Sequence, residues 1–352
     1  MAKAADSASL EAGAGESKPT PTIASSPLEY QKLVGRYEAS DDVYVSGSVR
    51  AQHDFGASAA PGTTLATGPD WVWLLSLGAA WDVNKHVTLG ADVSGSPPSS
   101  RSVASPFSYP SPPATLSSTA LMLARSWSVG GSVDLTYDTF DEEAPHDVDG
   151  SVELSVGYTR FGTEQSMTEF DSPSGQPQDV GAFLAGCAAT ATPLCAAVQR
   201  ASQQLSSGLG QWRLGATPTL TFKEETDAAL DAALYVYDKN RPDQAGFYDY
   251  RLPRGGGEVA TFGAGLPLIP PRWSLRPELG HRWKLVSVRG WYQLTDYTIP
   301  SYIGHAVGAK VQLYLDKWRI YATGSYRADV SLNGAEDNAQ TWVAGVGVTR
   351  QF

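Results

Sequence analysis

From Val43 to Phe352 the chain consists of short segments in which bulky or apolar residues alternate with small or polar ones, separated by Gly, Pro, Asp, Asn and Ser. Side chains of a strand point to opposite faces with period two, so each segment reads as a strand with one apolar and one polar face. The clearest segments span 43–55, 71–83, 86–96, 128–140, 150–161, 211–223, 227–238, 273–284, 287–296, 304–316, 318–330 and 341–352. Weaker ones span 115–125, 165–171, 247–253 and 257–265, the last two pairing through Gly255, Gly256 and Gly257. Typical lengths of ten to thirteen residues are close to the ~9–11 that a tilted strand needs to cross a bilayer. In 71–83 the outward set would be Trp71, Trp73, Leu75, Leu77, Ala79, Trp81 and Val83, with aromatics near both ends, as expected at two membrane interfaces.

The connections are unequal. Asn84-Lys85, Ser126-Trp127, 223–226, 284–286 and Asp316-Lys317 read as tight turns, whereas 56–70, 97–114, 172–210, 239–246 and 331–340 are longer. In the last strand Trp342, Ala344, Val346, Val348 and Phe352 share one face and Gly345, Gly347, Thr349 and Gln351 the other, and the chain stops on an aromatic. Alternating strands, turn asymmetry and the terminal Phe352 together resemble the outer-membrane β-barrel proteins of Gram-negative bacteria. That resemblance covers 43–352 and implies an all-β, antiparallel, up-and-down transmembrane barrel with a porin-like lumen. With both termini on the periplasmic side the strand number must be even. Placing the five tight turns there favours about sixteen strands, within a range of fourteen to eighteen. A large soluble sandwich or propeller is the competing architecture, but no repeat of propeller period is present.

Residues 1–42, rich in Ala, Ser, Pro and Glu, read as a flexible periplasmic segment in which only Leu28–Tyr37 would make a short helix. No secretory apolar core precedes them, so Met1 reads as an added start on a mature or truncated sequence. The most apolar stretch without charge, 180–198, is rich in Ala, Gly and Thr and broken by Pro193, a poor membrane helix. Cys187 and Cys195 are the only cysteines, and in an exported loop they favour a disulfide; no Cys/His clustering points to zinc or another metal, and no cofactor is implied. Thr192-Pro193 reads as a helix N-cap followed by a first-turn proline, with helical composition up to Gly208. This loop, 172–210, would either fold inward as a constriction or cover the mouth.

If the apolar faces meet lipid, the lumen can be written out. Its acidic members are Asp92, Asp134, Asp138, Glu153 and Asp231, and its basic members Arg213, Arg276, Arg282, Arg289, Lys310, Arg319 and Arg327. Residues 1–175 hold 9 basic and 22 acidic residues against 17 and 15 in 176–352, within a net charge of -11. Sequential strands are neighbours, so an acidic early wall would face a basic late wall across the pore. Pairing of these cations with Glu278, Asp329 and the acidic wall, filling a structural lumen, is the plainer expectation. Tyr235, Tyr237, Trp291, Tyr314 and Tyr321 point the same way and would either stack on sugar faces or simply fill the interior.

These features favour an outer-membrane channel for polar or charged solutes, with lipid and the barrel-assembly machinery as partners. An exopolysaccharide export barrel served by a periplasmic partner is the alternative, and an adhesin, a structural barrel or a membrane-embedded hydrolase are weaker ones. Homo-oligomerisation fits the porin reading. For hydrolysis the candidates would be His53-Asp54, His281 and His305, but no GxSxG elbow or HExxH helix accompanies them, and His281 falls on an apolar face. The acidic balance disfavours nucleic acid.

Overall fold

A computed structural model describes residues 6–18, 26–54, 71–111, 114–138, 147–172, 175–189, 192–203, 205–223, 225–238, 270–298, 302–331 and 339–352. Strands β1 (Ser7–Lys18), β2 (Ser26–Ser40), β3 (Val43–Asp54), β4 (Val72–Asn84), β5 (Val87–Ser111), β6 (Ala114–Asp138) and β7 (Val148–Asp171) form the first half. A short strand β8 (Pro177–Asp179) then leads into helices α1 (Val180–Cys187) and α2 (Pro193–Ala201). The second half is β9 (Leu205–Phe222), β10 (Thr226–Tyr237), β11 (Pro271–Arg282), β12 (Val286–Tyr297), β13 (Tyr302–Leu315), β14 (Trp318–Ser331) and β15 (Ala339–Gln351).

Each long strand pairs antiparallel with its sequence neighbours, β7 with β9 across the helical insert, and β1 pairs with β15. The sheet therefore closes on itself as a fourteen-stranded barrel, and no long strand keeps an open edge in the bilayer. No helix among the described residues is long and apolar enough to cross a membrane; the strands cross it.

The residues expected as a tail are where the sequence reading departs most from the structure. Residues 7–18 and 26–40, including the stretch expected as a helix, are β1 and β2, paired along nearly their full length. Two expected strand pairs are single long strands: 115–125 and the described part of 128–140 lie in β6, and 150–161 and 165–171 in β7. The turn expected at Ser126-Trp127 is interior to β6, with Ser126 and Trp127 opposite Thr163 and Gly162. Most of the expected loop 97–114 is the upper half of β5. The strands expected at 247–253 and 257–265 lie outside the described residues, and β10 pairs directly with β11. The count falls from about sixteen to fourteen and stays even: β1 and β2 add two strands, the two merged pairs remove two, and the direct pairing of β10 with β11 leaves no place between them for the expected pair.

The connections from β2 to β3, β4 to β5, β9 to β10, β11 to β12 and β13 to β14 lie at one end of the barrel, together with the start of β1 and the end of β15, where the Phe352 amide bonds the Asp6 carbonyl at 2.9 Å. That is the end assigned to the periplasm.

Large apolar side chains cover the outside. Exposed aromatics lie in two bands: Trp73, Trp127, Trp212, Tyr326 and Trp342 toward the loops, and Trp81, Tyr137, Phe222, Trp318 and Phe352 toward the turns. Along a strand the bands are eight to ten residues apart, as from Trp73 to Trp81 or Trp127 to Tyr137. With ~3.4 Å rise and ~40° tilt this gives an apolar belt about 20–26 Å tall, the hydrocarbon thickness such barrels present. Leu77, midway between the bands of β4, is more than half exposed. Leu77→Arg should destabilise the folded barrel by about 2–4 kcal/mol, against near zero for the same change at an interface, measured by denaturant titration in lipid vesicles.

Candidate functional site

Cross-strand register turns the polar face of every strand inward. Directly opposed residues share a face, and the chain of pairs Ser48↔Ser76, Ser76↔Ser94, Ser94↔Ser128 and Ser128↔Phe161 runs from β3 to β7 on one side of the sheet. Two of these pairs close at 2.7 Å, Ser48 Oγ with Ser76 Oγ and Ser94 Oγ with Ser128 Oγ. All seventeen charged and aromatic residues expected in the lumen occupy this inward face by register, from Asp92 opposite Gly130 to Arg319 opposite Tyr314.

The inward charges do not separate cleanly into opposed walls. Arg213 pairs with Asp231 at 3.2 Å and donates to Ser155 Oγ at 2.9 Å. Arg276 pairs with Glu278 at 2.8 Å, and Arg289 with Asp227 at 2.6 Å and Glu278 at 3.3 Å. Arg327 pairs with Asp329 at 2.9 Å. These four arginines are neutralised on their own side of the barrel, because Asp227, Asp231, Glu278 and Asp329 sit on the same late strands. Arg282, Lys310 and Arg319 instead rest on aromatic faces. Arg282 and Arg319 lie 4.7 and 5.5 Å from the centre of the Tyr314 ring, and Lys310 lies 4.3 Å from that of Tyr321. Among the described residues none of these three has a carboxylate at ion-pair distance, so the net positive character of the late wall collects at β11, β13 and β14.

The inward aromatics are built into this network. Arg276 covers Trp291 at 4.4 Å. The Trp291 ring lies over Gly308, where a Cβ would run into it, so the opposed glycine is what lets the ring lie flat on the wall. Tyr237 accepts from Gln211 Nε2 at 2.9 Å and donates to the Pro271 carbonyl at 2.8 Å. Tyr314 shares a 3.2 Å hydrogen bond with Ser287, and Tyr235 is opposite Arg213.

Sequence reasoning missed Glu11. Its two carboxylate oxygens accept from Tyr30 at 2.6 Å and from Tyr321 at 2.8 Å, bridging β2 to β14 across the closing strands β1 and β15. The signal was faint: Ala8, Leu10, Ala12 and Ala14 alternate with Ser9, Glu11, Gly13 and Gly15, but the outward residues are mostly small.

Within the lumen a cavity of about 480 Å³ is lined by Glu153, Arg213, Thr217, Thr219, Asp227, Asp231, Glu278 and Arg289, toward the turn end of β7 and β9–β12. Above it, toward the loops, the inward face becomes apolar. Phe161 and Leu209 are buried and opposed. A bulge in β7 between Met167 and Glu169 lets Met167 and Phe170 face the same way, and they pack with Val180 of α1 and Val198 of α2, with Phe183, Leu184 and Leu194 around them. The helical insert therefore lies on the inner face of the raised β7 wall, over the mouth rather than out in solvent. Thr192 caps α2 through the Cys195 amide at 3.1 Å, and Cys187 is disulfide-bonded to Cys195, joining the end of α1 to the first turn of α2.

The three histidines singled out for hydrolysis are on the outward face. His281 shares a 2.7 Å hydrogen bond with Thr226, His305 one of 2.6 Å with Tyr292, and His53 stacks on Trp71 with its ring 3.5 Å from Glu29.

No protein-family model matches the sequence, and no curated protein does. Among solved structures the chain is similar to the CymD monoaromatic hydrocarbon channel, with a TM-score of 0.54 and 11% identity over 99% of this chain and 89% of that one. It is similar to the toluene transporter TbuX of Ralstonia pickettii, at 0.53 and 14% over 99% and 90%, and to the toluene transporter TodX of P. putida, at 0.50 and 11% over 99% and 90%. At such identities the likeness is one of fold. The fold is that of bacterial outer-membrane barrel channels, and the apolar belt with its two aromatic bands places this chain in that membrane.

Proposed function

We propose that the barrel is an outer-membrane channel for small polar and charged solutes. What carries this reading is the charge-lined cavity inside a closed, lipid-belted wall. Charges in a lumen are expensive unless solvated or paired, and here pairing leaves Arg282, Lys310 and Arg319 to be balanced by water or solute. Reconstitution in a planar bilayer should give stepwise single-channel currents. A folded preparation that never conducts sinks the proposal. Replacing Arg282 and Arg319 together by Gln should shift the anion-to-cation permeability ratio toward cations by on the order of twofold, read as a reversal potential in a salt gradient.

A second reading has its own observation. The hydrocarbon channels of similar fold transport monoaromatics by name, and this barrel has an apolar inward patch at its outer mouth, formed by Phe161, Met167, Phe170 and Leu209. Toluene entry into vesicles without ionic current would favour it. Polysaccharide export draws no support from the fold likeness, and the histidine partners favour no hydrolase.

A further inference from the structure

We infer that the lumenal cavity is a binding site for a small zwitterion of the α-amino acid class. The inference rests on the channel reading and names its solute. The cavity wall carries both signs of charge, and the two are unevenly committed. Arg213 spends one N–H on Ser155 and another on Asp231, and Arg289 spends two on Glu278 and Asp227. A guanidinium has five N–H donors, so both retain donors for an incoming carboxylate. On the acidic side, Asp231, Asp227 and Glu278 each hold an arginine, whereas Glu153 has no basic partner among the described residues.

Geometry links the two poles. Ser155 and Glu153 lie on the same inward face of β7, two residues apart and therefore about 7 Å apart along the strand. Arg213 reaches down from β9 to within 2.9 Å of Ser155 Oγ, so its guanidinium stands one inward position above Glu153 and does not form an ion pair with it. The two side-chain heads are therefore separated by more than ion-pair distance, a gap open to a bridging ligand. Two hydrogen bonds of ~2.8 Å with the short N–Cα–C link of an α-amino acid between them span it, ammonium on Glu153 and carboxylate on Arg213. Thr217, opposite Glu153, and Thr219 add hydroxyls that donate or accept beside such a ligand. A plain cation would satisfy Glu153 and leave the arginine donors unused; a plain anion would do the reverse and meet four carboxylates.

The test is titration calorimetry on the detergent-folded full chain with three probes: L-serine, n-butylammonium and butyrate. Serine should bind, and each singly charged probe should bind at least about fivefold more weakly, the loss of one solvent-accessible ion pair. Glu153→Gln should weaken serine by a similar factor, while Glu153→Asp should recover part of it. Absence of serine binding to the wild-type protein, butylammonium binding as tightly as serine, or an unchanged affinity in Glu153→Gln would each overturn the inference. Folding of every variant is checked by heat-modifiable gel mobility. Single-channel currents recorded on the same preparation separate the two ideas: serine binding without conductance leaves the site and removes the channel, whereas conductance without serine binding removes the site alone.

Discussion

A chain lacking residues 1–40 is expected to yield no native barrel. These residues supply β1 and β2, and β1 is the strand that meets β15 to close the sheet. Without them β3 and β15 are left with unpaired backbone edges inside the bilayer, each unsatisfied amide or carbonyl costing several kcal/mol. Parity would allow β3 to pair with β15 in a twelve-strand barrel, but the narrower lumen would have to hold the same arginines and rings while Tyr321 lost its Glu11 acceptor. The measurement is the folded fraction after refolding into detergent or vesicles, read as heat-modifiable gel mobility and protease resistance. Wild-type-like folding of the truncated chain would show that the seam is dispensable. Glu11→Gln is the milder version. It keeps β1 but weakens two charge-assisted hydrogen bonds from tyrosines, and should cost about 1–3 kcal/mol while the barrel still closes.

Asp329→Ala should be among the most damaging single substitutions inside the barrel, at about 3 kcal/mol. Asp329 is only 2% exposed, accepts from Tyr297 at 2.8 Å, and pairs with Arg327 on its own strand. Arg327 also donates to the Tyr297 hydroxyl, so the three side chains form a closed triangle on β12 and β14, over Gly304 of β13. Removing the carboxylate leaves a guanidinium in a confined place without its counter-charge and a fully buried tyrosine hydroxyl without its acceptor. Asp329→Asn keeps an acceptor and should lose roughly half as much. Denaturant titrations in the same detergent compare the two. A loss for Asp329→Ala within ~0.5 kcal/mol of wild type would mean that the triangle contributes nothing.

Much of the fold was legible because a membrane barrel imposes period two on every strand. In β4 the lipid face carries large side chains, Trp73, Leu75, Leu77 and Trp81, so the alternation is plain, and these are exposed residues of the strand. It failed where that contrast was weak. In β1 the outward residues are mostly alanines, and in β2 Glu29 and Gln31 share the outward face with Leu33, so both strands read as a polar tail. It failed again at Ser126-Trp127, where a serine beside an aromatic has the composition of a turn while the backbone continues through a 25-residue strand.

Where the outward face is bulky, the sequence by itself determined which residues of a strand share a face, and it placed Phe352 at the end with the short turns, since these follow from local periodicity and loop length. Only the tertiary structure decided which charges meet. Arg289 finds Asp227, 62 positions away, and Glu11 finds Tyr321, 310 away. Such partners are set by strand order, register and tilt around a closed sheet, which no local pattern encodes. In the late half the arginines pair within their own wall while Arg282, Lys310 and Arg319 rest on tyrosines, whereas among the described residues Asp92, Asp134, Asp138 and Glu153 of the early half have no basic partner.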